Sequence, residues 1–155
     1  MLADHGVEFM VVGGQAEALM GSARVTYDVD LCYRRTSDNL ERLATALATL
    51  NLTLRGAPPE LKFRLDAAAL ALGQNYTFEV DGEYPLDLLG HLEPVGTYEE
   101  LLPRAEVVSI GGRPTRVMAL DDLIRIKRYI GRPKDRESLL QLEAIKRLRD
   151  QEGLR

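Results

Sequence analysis

Hydrophobic residues recur along this chain with two periods. Val7 to Val12 is a short apolar run stopped by Gly13-Gly14, which reads as a strand ending in a turn. Ala16, Leu19 and Met20 then fall on one side of a short helix that Gly21 closes. Val25 to Tyr33 is β-branched and aromatic with partial alternation, the pattern of a strand. Leu40, Leu43, Ala44, Leu47 and Leu50 return to helical spacing, with Ser37 or Asp38 as the cap and Glu41 as the capping-box partner of Asp38.

Gly56-Ala57-Pro58-Pro59 reads as a loop, and Asp66 to Leu72 as a short helix ended by Gly73. Two hairpins follow. Tyr76–Val80 and Leu86–Leu89 flank Asp81-Gly82, and Val107–Ile110 and Thr115–Met118 flank Gly111-Gly112. Helices over Leu120–Ile130 and Asp135–Arg149 finish the chain. Strands first and helices after give an α+β fold built on a mixed sheet. The length of 155 residues suits one domain over 1–155, with a sheet-containing core over about 1–118 and a helical pair over 119–150.

Composition narrows the classes. A hydrophobic content of 45% with 28% charged residues belongs to a folded chain. Charged residues break every apolar run well short of the ~18 needed to span a membrane. Met1 to Gly6 lacks a basic leader pattern, and the single Cys32 excludes an internal disulfide, so a cytoplasmic protein is expected. A net charge of −4 and a pI near 5.3 argue against holding nucleic acid by overall field. The average hides a division. Residues 1–112 carry 8 basic and 17 acidic side chains, residues 113–155 carry 12 and 7, and the basic segment can receive a phosphate.

Candidate chemistry centres on Asp28 and Asp30. On a strand, residues two apart face the same way, roughly 6.6 Å apart. Two such carboxylates repel unless a cation bridges them, and Mg²⁺ prefers oxygen ligands shared with substrate phosphates. A solvated outer strand face gives the same spacing. Gly13-Gly14 sits between a strand and a helix, where backbone N–H groups can hold an anion and glycine permits close approach; a plain tight turn reads alike. Asp87 stands in the apolar run Pro85-Leu86-Asp87-Leu88-Leu89 and calls for a metal, a base or strong donors, or else faces solvent. Glu79 is the fallback. Lys127 occupies the apolar face marked by Leu120, Leu123 and Ile124, so its ammonium either snorkels outward or meets an anion. Asp135 is a helix cap or a site residue, and Arg24 a phosphate ligand or a solvated loop residue. His5, His91 and Cys32 show no ligand spacing and read as structural.

Val12-Gly13-Gly14, thirteen residues, then Asp28-Val29-Asp30-Leu31 resembles the signature of the nucleotidyltransferase fold. That signature is a hydrophobic residue, Gly, then Gly or Ser, with Asp-x-Asp on the next strand. The resemblance implies that Asp28 and Asp30 bind two Mg²⁺ or Mn²⁺ ions on an NTP, with Asp87 as the third acidic ligand. It also implies that Gly13, Gly14, Arg24 and Lys127 face the triphosphate. Gly21 to Thr26, Asn75 to Phe78, Leu86 to Gly90, and Leu123 through Lys127 to Asp135 extend the likeness over nearly the whole chain. They are similar to uncharacterised bacterial proteins grouped with the AbiEii-type nucleotidyltransferase toxins of abortive-infection systems. In those toxins a further lysine and aspartate serve the site, which implies catalytic roles for Lys127 and Asp135. One departure is that the sequence begins almost at the first strand, without the helix that usually precedes it. The expected activity is transfer of NMP from an NTP to a hydroxyl of tRNA, protein or a small molecule, with an antitoxin as a possible partner. The alternative is an inactive module of this fold that binds nucleotide or a partner protein.

Overall fold

The computed structural model describes residues 1–23, 26–57 and 65–153. Arg24, the start of the expected second strand at Val25, and Pro58-Pro59 of the expected loop lie outside the described residues. Strand β1 (Phe9–Val12) leads into helix α1 (Gly13–Leu19), then β2 (Val29–Tyr33), α2 (Ser37–Leu47), β3 (Leu52–Leu54) and α3 (Ala67–Leu72). The hairpin β4 (Asn75–Val80) and β5 (Tyr84–Leu89) follows, then β6 (His91–Leu92), β7 (Gly96–Thr97) and α4 (Tyr98–Leu101). A second hairpin, β8 (Glu106–Ile110) and β9 (Arg113–Val117), precedes α5 (Leu120–Ile130) and α6 (Asp135–Gln151). The α+β reading holds, as do both hairpins and both final helices.

Seven strands form one mixed sheet in the order β3-β4-β5-β2-β1-β9-β8. Strand β2 runs antiparallel to β1 and parallel to β5, and β1 runs parallel to β9. The central strands are therefore flanked on both sides and covered on both faces, as their apolar content requires. Val29, Leu31 and Leu86 turn toward Leu47 and Leu50 on one face, whereas Asp30 and Leu89 turn toward Leu123, Ile126 and Lys127 of α5 on the other. Met10, Val12, Cys32, Leu88, Phe78 and Val117 are fully buried between these layers.

Three local expectations are corrected. Helix α2 is capped by Thr36, whose Oγ1 accepts from the Asn39 backbone N–H at 3.4 Å, not by Ser37 or Asp38. Asn39, the third residue of the helix, is fully buried and ties three segments together. Its Oδ1 accepts from the Glu8 N–H at 2.7 Å, and its Nδ2 donates to the Glu8 and Arg34 carbonyls at 3.0 and 2.7 Å. Helix α1 buries Gly14, Ala16 and Glu17, while Leu19 is left exposed. Strand β2 begins at Val29, later than its composition suggests.

Candidate active site

Because β2 starts at Val29, Asp28 precedes the strand, exposed, with its N–H donated to Thr26 Oγ1 at 3.3 Å. The same-face spacing is expected of two strand residues, and of the two only Asp30 lies on β2. The sheet supplies a different pairing. In the parallel register of β2 and β5, Asp30 stands beside Asp87, between the pairs Val29–Leu86 and Leu31–Leu88. Register neighbours point to the same face, and adjacent strands lie about 4.8 Å apart. Asp87 Oδ1 is enclosed and accepts no hydrogen bond among the described residues. Two abutting carboxylates, one with an unused buried oxygen, fit a hard divalent cation. Glu79 lies two positions along β4, opposite Pro85, and pairs with Arg55 at 3.4 Å. Among the described residues no three metal-ligating side chains are gathered together.

The β1–α1 turn lies directly over Asp30. Gly13 has φ of +63°, and a Cβ there would run into the Asp30 carboxylate, with Cγ at 2.9 Å. Only glycine lets the backbone rest against that side chain in this conformation. A Cβ on Gly14 would lie 2.8 Å from the Thr26 methyl. Gln15 Nε2 donates to the carbonyls of Thr26 at 3.1 Å and Asp28 at 3.3 Å, which ties the approach to β2 onto α1.

Helix α5 closes the site from above. A cavity of about 230 Å³ is bounded by Gly13, Gly14, Glu17 and Asp30 on one side and by Leu123, Ile126, Lys127 and Arg132 on the other. Lys127 neither snorkels to water nor stands free. Its side chain is 9% exposed, and Nζ lies 3.3 Å from Glu17 Oε2 and 3.1 Å from Asp135 Oδ1. A buried ammonium needs such partners. Asp135 is the first residue of α6 and does not cap it; the N-cap is Lys134. Arg132 Nε donates to Asp135 Oδ2 at 2.7 Å. That bond, reinforced by Lys127 and opposed by burial, holds the Asp135 carboxyl down at about 2.

The structure thus brings Gly13, Gly14, Asp30 and Lys127 around one cavity, with Asp87 beside Asp30. Asp135 stands behind Lys127 and lines a separate groove with Ala23, Lys134 and Ser138. Glu17 is the residue sequence reasoning missed. The signal was its position one turn after Gly13-Gly14, on the same side of α1.

Solved structures share this fold. A Thermotoga maritima protein assigned as a nucleotidyltransferase superposes with a TM-score of 0.54 at 16% identity, covering 89% of this chain and 85% of that one. ANT(2'')-Ia, solved with adenylyl-2''-tobramycin, gives 0.56 at 18% identity, covering 96% and 88%. The lincosamide antibiotic adenylyltransferase LnuA, solved with lincomycin, gives 0.59 at 11% identity, covering 93% and 90%. The fold is that of the nucleotidyltransferases. No family model and no curated protein sequence matches the chain.

Within that fold the cavity has two characters. Leu89, Leu92, Ile126 and Ile130 make an apolar wall, while Asp30, Glu17, Lys127 and Arg132 supply charges of both signs. Such a site can seat an apolar or aromatic body while polar groups fix a phosphate and its cation. No helix of the described residues is long and apolar enough to cross a membrane.

Proposed function

We propose that this protein is a cytoplasmic nucleotidyltransferase that moves a nucleoside monophosphate from an NTP to a hydroxyl acceptor. The reaction breaks the α–β phosphoanhydride bond, forms a phosphoester to the acceptor oxygen and releases pyrophosphate. The observation that carries the reading is the register pairing of Asp30 with Asp87 beneath a glycine turn that only glycine can make.

Asp30 and Asp87, with Asp28 at the strand's approach, would hold Mg²⁺ or Mn²⁺, two ions in the full complex with NTP. Bound there, divalent cations neutralise the triphosphate and polarise the reacting phosphorus and the attacking oxygen. The Gly13-Gly14 backbone would approach the phosphates, Lys127 would meet them from α5, and Arg24 would add a further positive charge. Asp135 would act behind Lys127 by holding its ammonium. The hydroxyl could belong to tRNA, a protein or a small molecule; the antibiotic ligands of ANT(2'')-Ia and LnuA support the last. Likeness to the AbiEii-type toxins supports a toxin role with an antitoxin partner.

Incubation with each α-³²P-NTP, Mg²⁺ or Mn²⁺, and total tRNA, lysate or an aminoglycoside panel tests the reading. Metal-dependent transfer of label that Asp30→Asn abolishes is expected. A second reading, a module that binds nucleotide without turnover, is favoured by the place of Asp28 before strand β2 rather than on it. Tight metal-dependent NTP binding with no transfer to any acceptor supports that module instead.

A further inference from the structure

Glu17 is a carboxylate in an unexpected place. It is 1% exposed, on the inner side of a seven-residue helix, and its Oε2 lies 3.3 Å from Lys127 Nζ. Burying a carboxylate and an ammonium is costly unless the pair is well aligned and further hydrogen bonds compensate both groups. Lys127 already has a second anion, Asp135, at 3.1 Å. The two anions differ in position. Glu17 borders the same cavity as Gly13, Gly14 and Asp30, whereas Asp135 faces the groove beside Ala23 and Ser138 and is shared with Arg132. Lys127 therefore hangs between an anchor inside the cavity and an anchor outside it.

We propose that Glu17 is a positioning residue that holds the Lys127 ammonium at the cavity end of this bridge, facing the glycine turn. This rests on the reading above that Lys127 meets the triphosphate. Without Glu17 the ammonium retains only Asp135, and the flexible lysine stem follows that partner toward the groove beside Ala23 and Ser138 and away from the Gly13-Gly14 backbone. Glu17 is 1% exposed and acts through Lys127.

The test is a double-mutant cycle on NTP affinity, measured calorimetrically with Mg²⁺ and a non-hydrolysable NTP, with a thermal melt of each variant. Glu17→Gln should weaken binding by about ten-fold, the usual loss when an outer partner of a site residue is removed. In the Lys127→Met background the same change should have no effect, because Glu17 then has nothing to position. Equal losses in both backgrounds overturn the proposal and assign Glu17 a purely structural role. Lys127→Met binding as tightly as the wild type removes the phosphate role of Lys127, and Glu17's role with it. Unchanged binding in Glu17→Gln alone removes only Glu17. Should a single variant fail to fold, Glu17→Asp decides. It keeps the charge but shortens the reach, so NTP affinity should fall at least two-fold with little change in Tm. Wild-type affinity in that variant overturns the proposal.

Discussion

Gly13→Ala isolates the contact between the turn and Asp30. The new methyl meets two penalties. At φ of +63° an alanine sits in the left-handed region, which costs about 1–2 kcal/mol. The methyl also overlaps the Asp30 carboxylate, which must leave its rotamer at a further cost of about 1–2 kcal/mol. Reduced freedom of the unfolded chain offsets about 0.5 kcal/mol of this. A net loss of about 2–3 kcal/mol lowers Tm by about 4–12 °C in a chain of this size. Gly14→Ala is the internal control. It has no positive φ and meets only the Thr26 side chain, at 2.8–3.2 Å, so it lacks the left-handed penalty and its cost should stay below that of Gly13→Ala. Thermal melts of both variants by circular dichroism provide the comparison. NTP binding should also fall in Gly13→Ala, because the carboxylate displaced is the proposed metal ligand. A Gly13→Ala melt within about 1 °C of wild type, or a larger loss for Gly14→Ala, refutes the reasoning.

Three further outcomes follow from the packing. The Asp135 carboxyl titrates at about 2 rather than 3.8, so it contributes stability above its ordinary value and loses it as pH falls toward 2. That contribution is about 2 kcal/mol, and urea unfolding of Asp135→Asn should be flatter across pH 4 to 2 by about that amount; parallel profiles contradict it. Asn39→Ala deletes three hydrogen bonds that fasten the ends of β1 and β2 to α2, and should cost about 3 kcal/mol in denaturant unfolding; a loss under about 1 kcal/mol contradicts the bridging role. Cys32 is fully buried, and burial, with a smaller effect from Glu99, pushes its thiol up to about 12. A disulfide reagent at pH 8 should label the native protein at least about a hundred-fold more slowly than the denatured chain, and equal rates contradict the burial.

The outline of the fold was legible where the pattern is long or the turn chemistry specific. Leu40 to Leu47 gave α2, Asp81-Gly82 gave the β4–β5 hairpin, and Gly111-Gly112 gave the second. Elements too short to show a period were missed: β3 with three residues, the two-residue β6 and β7, and the four-residue α4. The site was legible as residue types and only partly as geometry. Asp30, Asp87, Gly13 and Lys127 were named from the sequence, but the pairing of Asp30 with Asp87 joins strands far apart in sequence and follows from sheet register, which no local pattern encodes. The strand was expected to include Asp28, but the chain before Val29 is held by Gln15 and Thr26 instead of a strand partner. Lys127 on an apolar face posed a question whose answer, Glu17, sits on another helix.

The most direct test of the central claim is titration of Mn²⁺ with a non-hydrolysable NTP into the wild type, Asp30→Asn, Asp87→Asn and Glu79→Gln. A site built on the Asp30–Asp87 pair predicts metal-dependent NTP binding that weakens at least about ten-fold in each aspartate variant. Glu79→Gln should bind as the wild type does. Metal-dependent binding that survives Asp30→Asn and Asp87→Asn at wild-type strength contradicts the account.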